Sequence, residues 1–198
     1  MFFSRQFKGD KRMRRIIAVF ALVAMAANVS FAQEEGLKGK AEAYFSLYDA
    51  VIDNDAMAEN TIGFGISGQY YVLDNLSAGA ELSMNNHRGA GDHKVNINMF
   101  GFNAKLYSQP INIGGENFNA YGVFGIGSYG LEVKNNGSKE DDRTFGFNYG
   151  AGLMYYFANH SLVTSLEIRT HHGFQAQLGS GRGKAVYTNY MVNVGYRF

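Results

Sequence analysis

From Gly39 to the end of the chain, apolar and polar residues alternate in strand-length segments separated by turn-rich breaks. A period of two marks a strand with one dry face. Residues 40–48 place Ala41, Ala43, Phe45 and Leu47 on one side, with Lys40, Glu42, Tyr44, Ser46 and Tyr48 on the other. Residues 61–72 set Ile62, Phe64, Ile66, Tyr70 and Val72 against Gly63, Gly65, Ser67, Gln69 and Tyr71. Residues 76–84 set Leu76, Ala78, Ala80, Leu82 and Met84 against Ser77, Gly79, Glu81 and Ser83. Residues 118–134 carry aromatics and glycines on both sides, and Ala120, Phe124 and Ile126 are assigned to the apolar one. Residues 145–157 put Phe145, Phe147, Tyr149, Ala151, Leu153, Tyr155 and Phe157 opposite Gly146, Asn148, Gly150, Gly152, Met154 and Tyr156. In 161–169, Leu162, Thr164, Leu166 and Ile168 oppose Ser161, Val163, Ser165, Glu167 and Arg169. The chain ends with Tyr190, Val192, Val194, Tyr196 and Phe198 against Met191, Asn193, Gly195 and Arg197.

The remaining segment, 93–107, changes phase: Val95, Ile97 and Met99 are apolar at odd positions, then Phe100, Phe102, Ala104 and Leu106 at even ones. One extra residue near Met99 and Phe100 would restore a continuous apolar face, which predicts a β-bulge there. Eight segments bring both chain ends to the same side. The breaks at 49–60, 86–92, 135–142 and 172–183 are longer and rich in Asp, Asn, Gly and charge, whereas 73–75 and 158–160 are tight. The break at 109–117 is the exception and holds the single proline, Pro110. Short turns on one rim and long loops on the other match the asymmetry of bacterial outer-membrane barrels. The expected fold is all-β, an eight-stranded antiparallel up-and-down transmembrane β-barrel.

The membrane reading turns on which face is dry. The non-apolar face carries Lys40, Glu42, Glu81, Lys94, Lys105, Glu167, Arg169 and Arg197 among Gly, Ser and Asn, while the opposite face is nearly free of charge. A soluble barrel shows water a polar exterior, whereas hydrocarbon requires the reverse. An eight-stranded barrel is just narrow enough for side chains to fill. Unpaired charges there would be costly, so Glu42, Glu81 and Glu167 are expected to pair with Arg169, Lys105 and Arg197 and plug the lumen. Aromatics at segment ends (Tyr70, Phe118, Tyr155, Phe157, Tyr196, Phe198) would form the interfacial girdles without any Trp.

The first 32 residues read differently. Arg5, Lys8, Lys11, Arg12, Arg14 and Arg15 precede an uncharged run from Ile16 to Ala27, and Ser30 and Ala32 stand at −3 and −1 of a cleavage site. Residues 1–32 are therefore expected to be a cleavable signal peptide and 33–198 the barrel domain; a single membrane anchor is the competing reading, disfavoured by the cleavage site. Met13-Arg14-Arg15 would itself open a compact leader, which leaves the start at Met1 or Met13 open. Of 18 Lys+Arg and 17 Asp+Glu, six cations and Asp10 lie in this leader, so the remainder has 12 against 16, a net charge of −4. No basic patch survives to suggest nucleic acid. Thirteen Tyr and 16 Phe argue against disorder. The absence of Cys excludes disulfides, Cys-based zinc sites and a thiol nucleophile.

The terminal run from Tyr190 to Phe198, with Tyr190, Val192, Val194, Tyr196 and Phe198 on one face, resembles the C-terminal assembly signal of outer-membrane barrels, departing from its commonest form at Asn193. The stretches 71–82, 121–127 (Tyr-Gly-Val-Phe-Gly-Ile-Gly) and 147–157 are similar to the OmpA-like and opacity-type eight-stranded barrel family, over essentially all of 39–198. This resemblance implies a Gram-negative outer membrane, insertion by the barrel-assembly machinery, and roles from envelope integrity to adhesion. It offers no motif residues for any one role. No second domain is expected after the barrel, and with it no peptidoglycan-binding module like that of long family members.

Other motifs weigh little. Gly63-x-Gly65-x-x-Gly68 and Gly125-x-Gly127-x-x-Gly130 fit a dinucleotide fingerprint but lie inside alternating strands rather than at a strand–helix turn. Gly179 to Lys184 fails the phosphate-loop spacing, and Ala185 stands where Ser or Thr is required. His87, His93, His171 and His172 would offer a metal site only if two loop rims met; no metal or cofactor is expected. His160-Ser161, or His171 with loop serines, would be the nucleophile–base pair of a lipid-modifying enzyme, but neither has an orienting third residue. No catalytic residue is assigned. The expected role is structural or surface interaction through loops 49–60, 86–92, 135–142 and 172–183, in contact with outer-membrane lipid and an extracellular ligand. A narrow pore or small-solute transport barrel is the alternative, and a lipid-modifying enzyme comes third.

Overall fold

The computed structural model describes residues 36–52, 60–88, 94–135, 138–157, 161–178 and 181–198. The expected signal peptide lies outside them. Among the described residues nine strands follow one another without a helix: β1 (Ala41–Ile52), β2 (Thr61–Leu73), β3 (Leu76–Arg88), β4 (Lys94–Tyr107), β5 (Ile111–Ile113), β6 (Glu116–Asn135), β7 (Ser138–Tyr156), β8 (Leu162–Leu178) and β9 (Gly181–Arg197). Each pairs antiparallel with its neighbour, β1 with β9 and β4 with β6 completing the ring, while the three-residue β5 pairs only with the start of β6. The barrel wall is therefore eight strands closed on themselves, with no open edge between them. The short β5 occupies the proline-containing break, where positive φ at Gly114 and Gly115 turns the chain back.

Strand tilt follows from the register. Stepping from partner to partner, Glu42 leads through Gln69, Gly79, Asn103, Gly125, Asn148, His171 and Tyr187 to Ile52, ten residues further along β1. With a rise of ~3.3 Å per residue and strands ~4.8 Å apart, that stagger over eight strands means a tilt of about 40°. Each row of paired residues climbs toward the loop rim as it circles the barrel, so residues sharing a height rarely share a row.

Burial is inverted relative to a water-soluble protein. Ile62 is 72 % exposed and Leu106 60 %, while Glu167 is 1 % and Arg169 3 % exposed. The alternation seen in the sequence places the apolar residues of β1, β2, β3, β6, β7, β8 and β9 outward.

Two expectations are corrected. No bulge interrupts β4 near Met99: its register with both β3 and β6 runs unbroken. Ile97 and Met99 instead point inward and pack with Tyr129, Leu131 and Tyr187, with Val95 partly buried against them. On the β4 and β6 side the loop end of the lumen is lined by apolar residues, with Asn85, His87, His171 and Asn189 buried in the same region, so β4 has two apolar faces in succession rather than one kinked face. Lys94 consequently lies outside, with Phe100, and not in the lumen. Register shifts fall elsewhere, between Tyr71 and Leu73 and between His172 and Gln175.

The breaks at 135–142 and 172–183 are mostly strand. β6 and β7 stay paired to Asn135 and Ser138, and β8 and β9 to Leu178 and Gly181. At 20 residues, β6 is roughly twice the ~9–11 needed to cross a bilayer, so its hairpin with β7 projects beyond the apolar band. β1 and β3 likewise extend to Ile52 and Arg88, into the breaks at 49–60 and 86–92; residues 53–59 and 89–93 lie outside the described residues.

Candidate functional site

The lumen is layered. At the turn rim, Tyr44, Tyr71, Tyr107, Tyr121, Met154, Tyr156 and Val163 form one buried cluster. Leu37, from the segment preceding β1, closes it from below. That segment is pinned by the Lys38 amide, which donates to Asp74 Oδ1 at 2.9 Å, and by a turn at Gly39 with φ of 86°. Within the cluster Arg197 Nε donates to Glu42 Oε1 at 2.9 Å and its guanidinium lies 3.9 Å from the Tyr156 ring centre. The hydroxyls of Tyr44 and Tyr71 also donate to Glu42.

The middle layer carries the other four charges. Arg169 bonds Glu81 across the lumen and Glu167 on its own strand at 2.5 Å. Lys105 Nζ is 3.2 Å from Glu167 and 4.6 Å from the centre of the Tyr121 ring. Tyr121 donates to Glu167 at 2.7 Å. Polar neighbours extend the network: Gln69 donates to Asn103 at 2.6 Å, and Ser77 to Gln69 at 3.1 Å. All six charges assigned to the lumen thus stand in two linked groups, Glu42 with Arg197 and Glu81, Lys105 and Glu167 around Arg169. Two carboxylates and two cations balance in the middle, and low local dielectric makes such a group rigid only when every member is satisfied.

The loop-side layer is formed by Ile97, Met99, Tyr129, Leu131 and Tyr187. His171 stacks on Tyr187 at 4.5 Å between ring centres. Its nitrogens face the Tyr129 hydroxyl at 3.2 Å and Asn189 at 3.3 Å, not a serine. His172 points outward, parallel to Phe147 at 5.0 Å and Tyr149 at 5.6 Å. Adjacent histidines on a strand face opposite sides, so this pair cannot share a metal. Among the described residues no group of three metal-ligating side chains occurs. His93 and His160 lie outside the described residues.

Glycines shape the interior. The Tyr121 ring lies against Gly152, where a Cβ would sit 2.3 Å from it, and Tyr44 crosses Gly195 in the same way at 2.4 Å. The glycines of both fingerprint-like motifs lie within β2 and β6.

Outside, Phe118, Tyr155 and Phe157 form a chain of ring contacts at the turn rim, with Tyr196 and Phe198 paired at 5.2 Å. Tyr190, Val192, Val194 and Tyr196 share the outward side of β9, and Phe198, just past its end, continues the exposed run. A second aromatic group, Phe147, Tyr149, His172 and Phe174, marks the loop-side edge on β7 and β8. The alternation places Phe147 and Tyr149 outward, but the sequence gives no sign of their grouping with His172 and Phe174, of the Leu37 closure or of the inward Ile97 and Met99.

Comparison with known proteins agrees with this architecture. Residues 17–198 match the family model described as outer membrane protein beta-barrel domain. Among solved structures, Neisserial surface protein A is 12 % identical, with a TM-score of 0.61 over 80 % of this chain and 96 % of that one. The N-terminal β-barrel domain of Pseudomonas aeruginosa OprF is 17 % identical, with a TM-score of 0.56 over 81 % and 98 %. Ail, the attachment invasion locus protein of Yersinia pestis, is 18 % identical, with a TM-score of 0.52 over 81 % and 99 %. At these identities the likeness is one of fold. No curated protein matches the sequence.

Proposed function

The chain belongs to the outer membrane protein beta-barrel domain family, and from that premise we propose an integral outer-membrane barrel whose own side chains close its lumen. Its work is then done at its surfaces, in envelope integrity or in contacts made by the loop rim. The observation that carries this reading is the Arg169 group, which joins β8 to β3 and, through Glu167 and Lys105, to β4. Buried side chains fill the lumen on either side of it, Tyr71, Tyr107, Tyr121, Met154 and Tyr156 toward the turn rim and Ile97, Met99, Tyr129, Leu131 and Tyr187 toward the loop rim. The projecting β6–β7 hairpin, which carries Lys134, Lys139, Asp141 and Arg143 in exposed positions, offers a surface for an extracellular ligand. The names of Neisserial surface protein A and of the attachment invasion locus protein lend the surface role support by analogy.

The N-terminal leader would direct export, the outward run ending at Phe198 would engage the barrel-assembly machinery, and both termini would lie in the periplasm. No catalytic role is proposed: His171 is fully buried and meets Tyr129 and Asn189 rather than a serine. Solute uptake by liposomes containing the purified protein separates a closed barrel from a narrow pore. Uptake no faster than in empty liposomes supports closure, and size-dependent uptake of small sugars or amino acids refutes it. Lipid mass spectrometry after overexpression tests the enzymatic alternative, with unchanged acyl composition expected.

A further inference from the structure

We propose that a groove on the outer wall, where β6, β7 and β8 meet the turn rim, holds a phospholipid whose headgroup ends in a primary ammonium. The groove has a volume of about 300 Å³ and lies on the lipid-facing side. Its upper part is apolar: Leu153 and Leu166 stand opposite each other in the β7–β8 register. One step toward the rim, Tyr155 stands opposite Thr164, whose short side chain gives the groove depth. The Thr164 hydroxyl is turned away, donating to the Asn193 carbonyl at 2.9 Å. At the rim the Phe118 and Tyr155 rings tilt toward each other at 5.1 Å, and the Tyr155 hydroxyl donates to Glu116 Oε2 at 2.6 Å.

Glu116 supplies the sign of the ligand. It is exposed, and among the described residues it forms no ion pair, its only hydrogen-bond partner being Tyr155. A carboxylate held beside two aromatic faces at the edge of an apolar band matches a cation that arrives attached to an acyl chain. The ammonium would bond Glu116 and lie against the rings, and the acyl chain would run up over Leu153 and Leu166. A primary ammonium fits better than a quaternary one, because only the former donates hydrogen bonds to the carboxylate. A phosphoglycerol headgroup would bring a net negative charge to Glu116 and is rejected.

The inference rests on the chain spanning a membrane, and the test keeps the two apart. Protein extracted in dodecylmaltoside is mixed with phosphatidylethanolamine, phosphatidylcholine or phosphatidylglycerol of identical chains, and retained lipids are counted by native mass spectrometry. Heat-modifiable gel migration reports folding in parallel; its absence in the wild type would refute the barrel itself. The expected result is several-fold greater retention of phosphatidylethanolamine than of phosphatidylglycerol. Glu116→Gln should abolish that preference, and Thr164→Phe, which fills the groove, should lower retention of every lipid. Equal retention of the three lipids, undiminished phosphatidylethanolamine in folded Glu116→Gln, or binding of oligolysine in place of lipid would overturn the proposal.

Discussion

Arg169 and Glu81 are joined across the full width of the barrel: β8 and β3 stand four strands apart in either direction around the ring, and the two side chains meet between them. Glu167 and Lys105 attach to the same bridge at 2.5 and 3.2 Å. A contact spanning opposite walls constrains barrel cross-section as well as charge, which ties the stability of the wall to the closure of the lumen.

Breaking this bridge from its cationic end should be costly. Arg169→Met leaves two carboxylates buried with Lys105 as their only cation, and the loss expected is about 3–5 kcal/mol. The urea midpoint for unfolding from lipid vesicles measures it. Replacing Glu81 and Arg169 together by Gln and Met should cost less than Arg169→Met alone, since one stranded charge is then removed. Equal or larger loss in the double variant would show that the bridge is not the source.

Gly152 makes room for Tyr121, so a side chain there must displace the ring that donates to Glu167. Gly152→Val is expected to destabilise by about 1–3 kcal/mol through overpacking. Gly122→Ala, where a Cβ meets nothing within 4 Å, should stay within about 0.5 kcal/mol of the wild type. The same urea titration compares them.

The outward side should tolerate charge according to depth. Phe124 is exposed midway along the outward positions of β6 between Phe118 and Gly130. Phe124→Arg is predicted to cost about 2–4 kcal/mol in vesicles, falling to about 0–1 kcal/mol for charge placed near an interface. Phe145→Arg, close to the projecting hairpin, supplies the interfacial case. Similar costs at both positions would contradict the assigned membrane band.

Beyond that band, Lys139 and Lys134 hold the Glu132 carboxyl below the usual glutamate range, at about 2, chiefly through hydrogen bonds at 2.8 and 3.0 Å. A depressed carboxylate contributes its stabilisation above its unfolded pKa and loses it as pH falls toward about 2. The hairpin contacts should therefore persist from neutral pH to about pH 3 and disappear below it. Carbon-13 NMR of the Glu132 carboxyl should titrate near 2, and in the Lys134→Met, Lys139→Met double variant it should return to the ordinary glutamate range.

Alternation was legible wherever the two sides of a strand meet different solvents, as from Phe145 to Phe157. It misled at Val95, Ile97 and Met99, because these side chains pack inside the lumen with Tyr129, Leu131 and Tyr187 while Phe100, Phe102 and Leu106 face outward on the same strand. The hairpins past Asn135 and His172 escaped notice for the opposite reason: above the bilayer both sides meet water, so strand residues there carry the composition of loops. Facing alone put Lys94 on the lumen side, where it does not lie, whereas Glu42, Glu81, Lys105, Glu167, Arg169 and Arg197 are buried inward. Which of these six meet could not be read from facing, because the ten-residue stagger decides which heights coincide, and that stagger has no local signature. Leu37 was hidden for a similar reason, since it acts from outside any periodic segment.

The claim that the lumen is closed by its own side chains is tested most directly by single-channel recording in planar bilayers containing the purified, heat-modifiable protein. The account predicts a current trace without stable large openings for the wild type. It also predicts that Arg169→Met, with Leu37→Ala at the turn rim, raises the frequency of openings. A stable, large wild-type conductance, unchanged by either substitution, would contradict it.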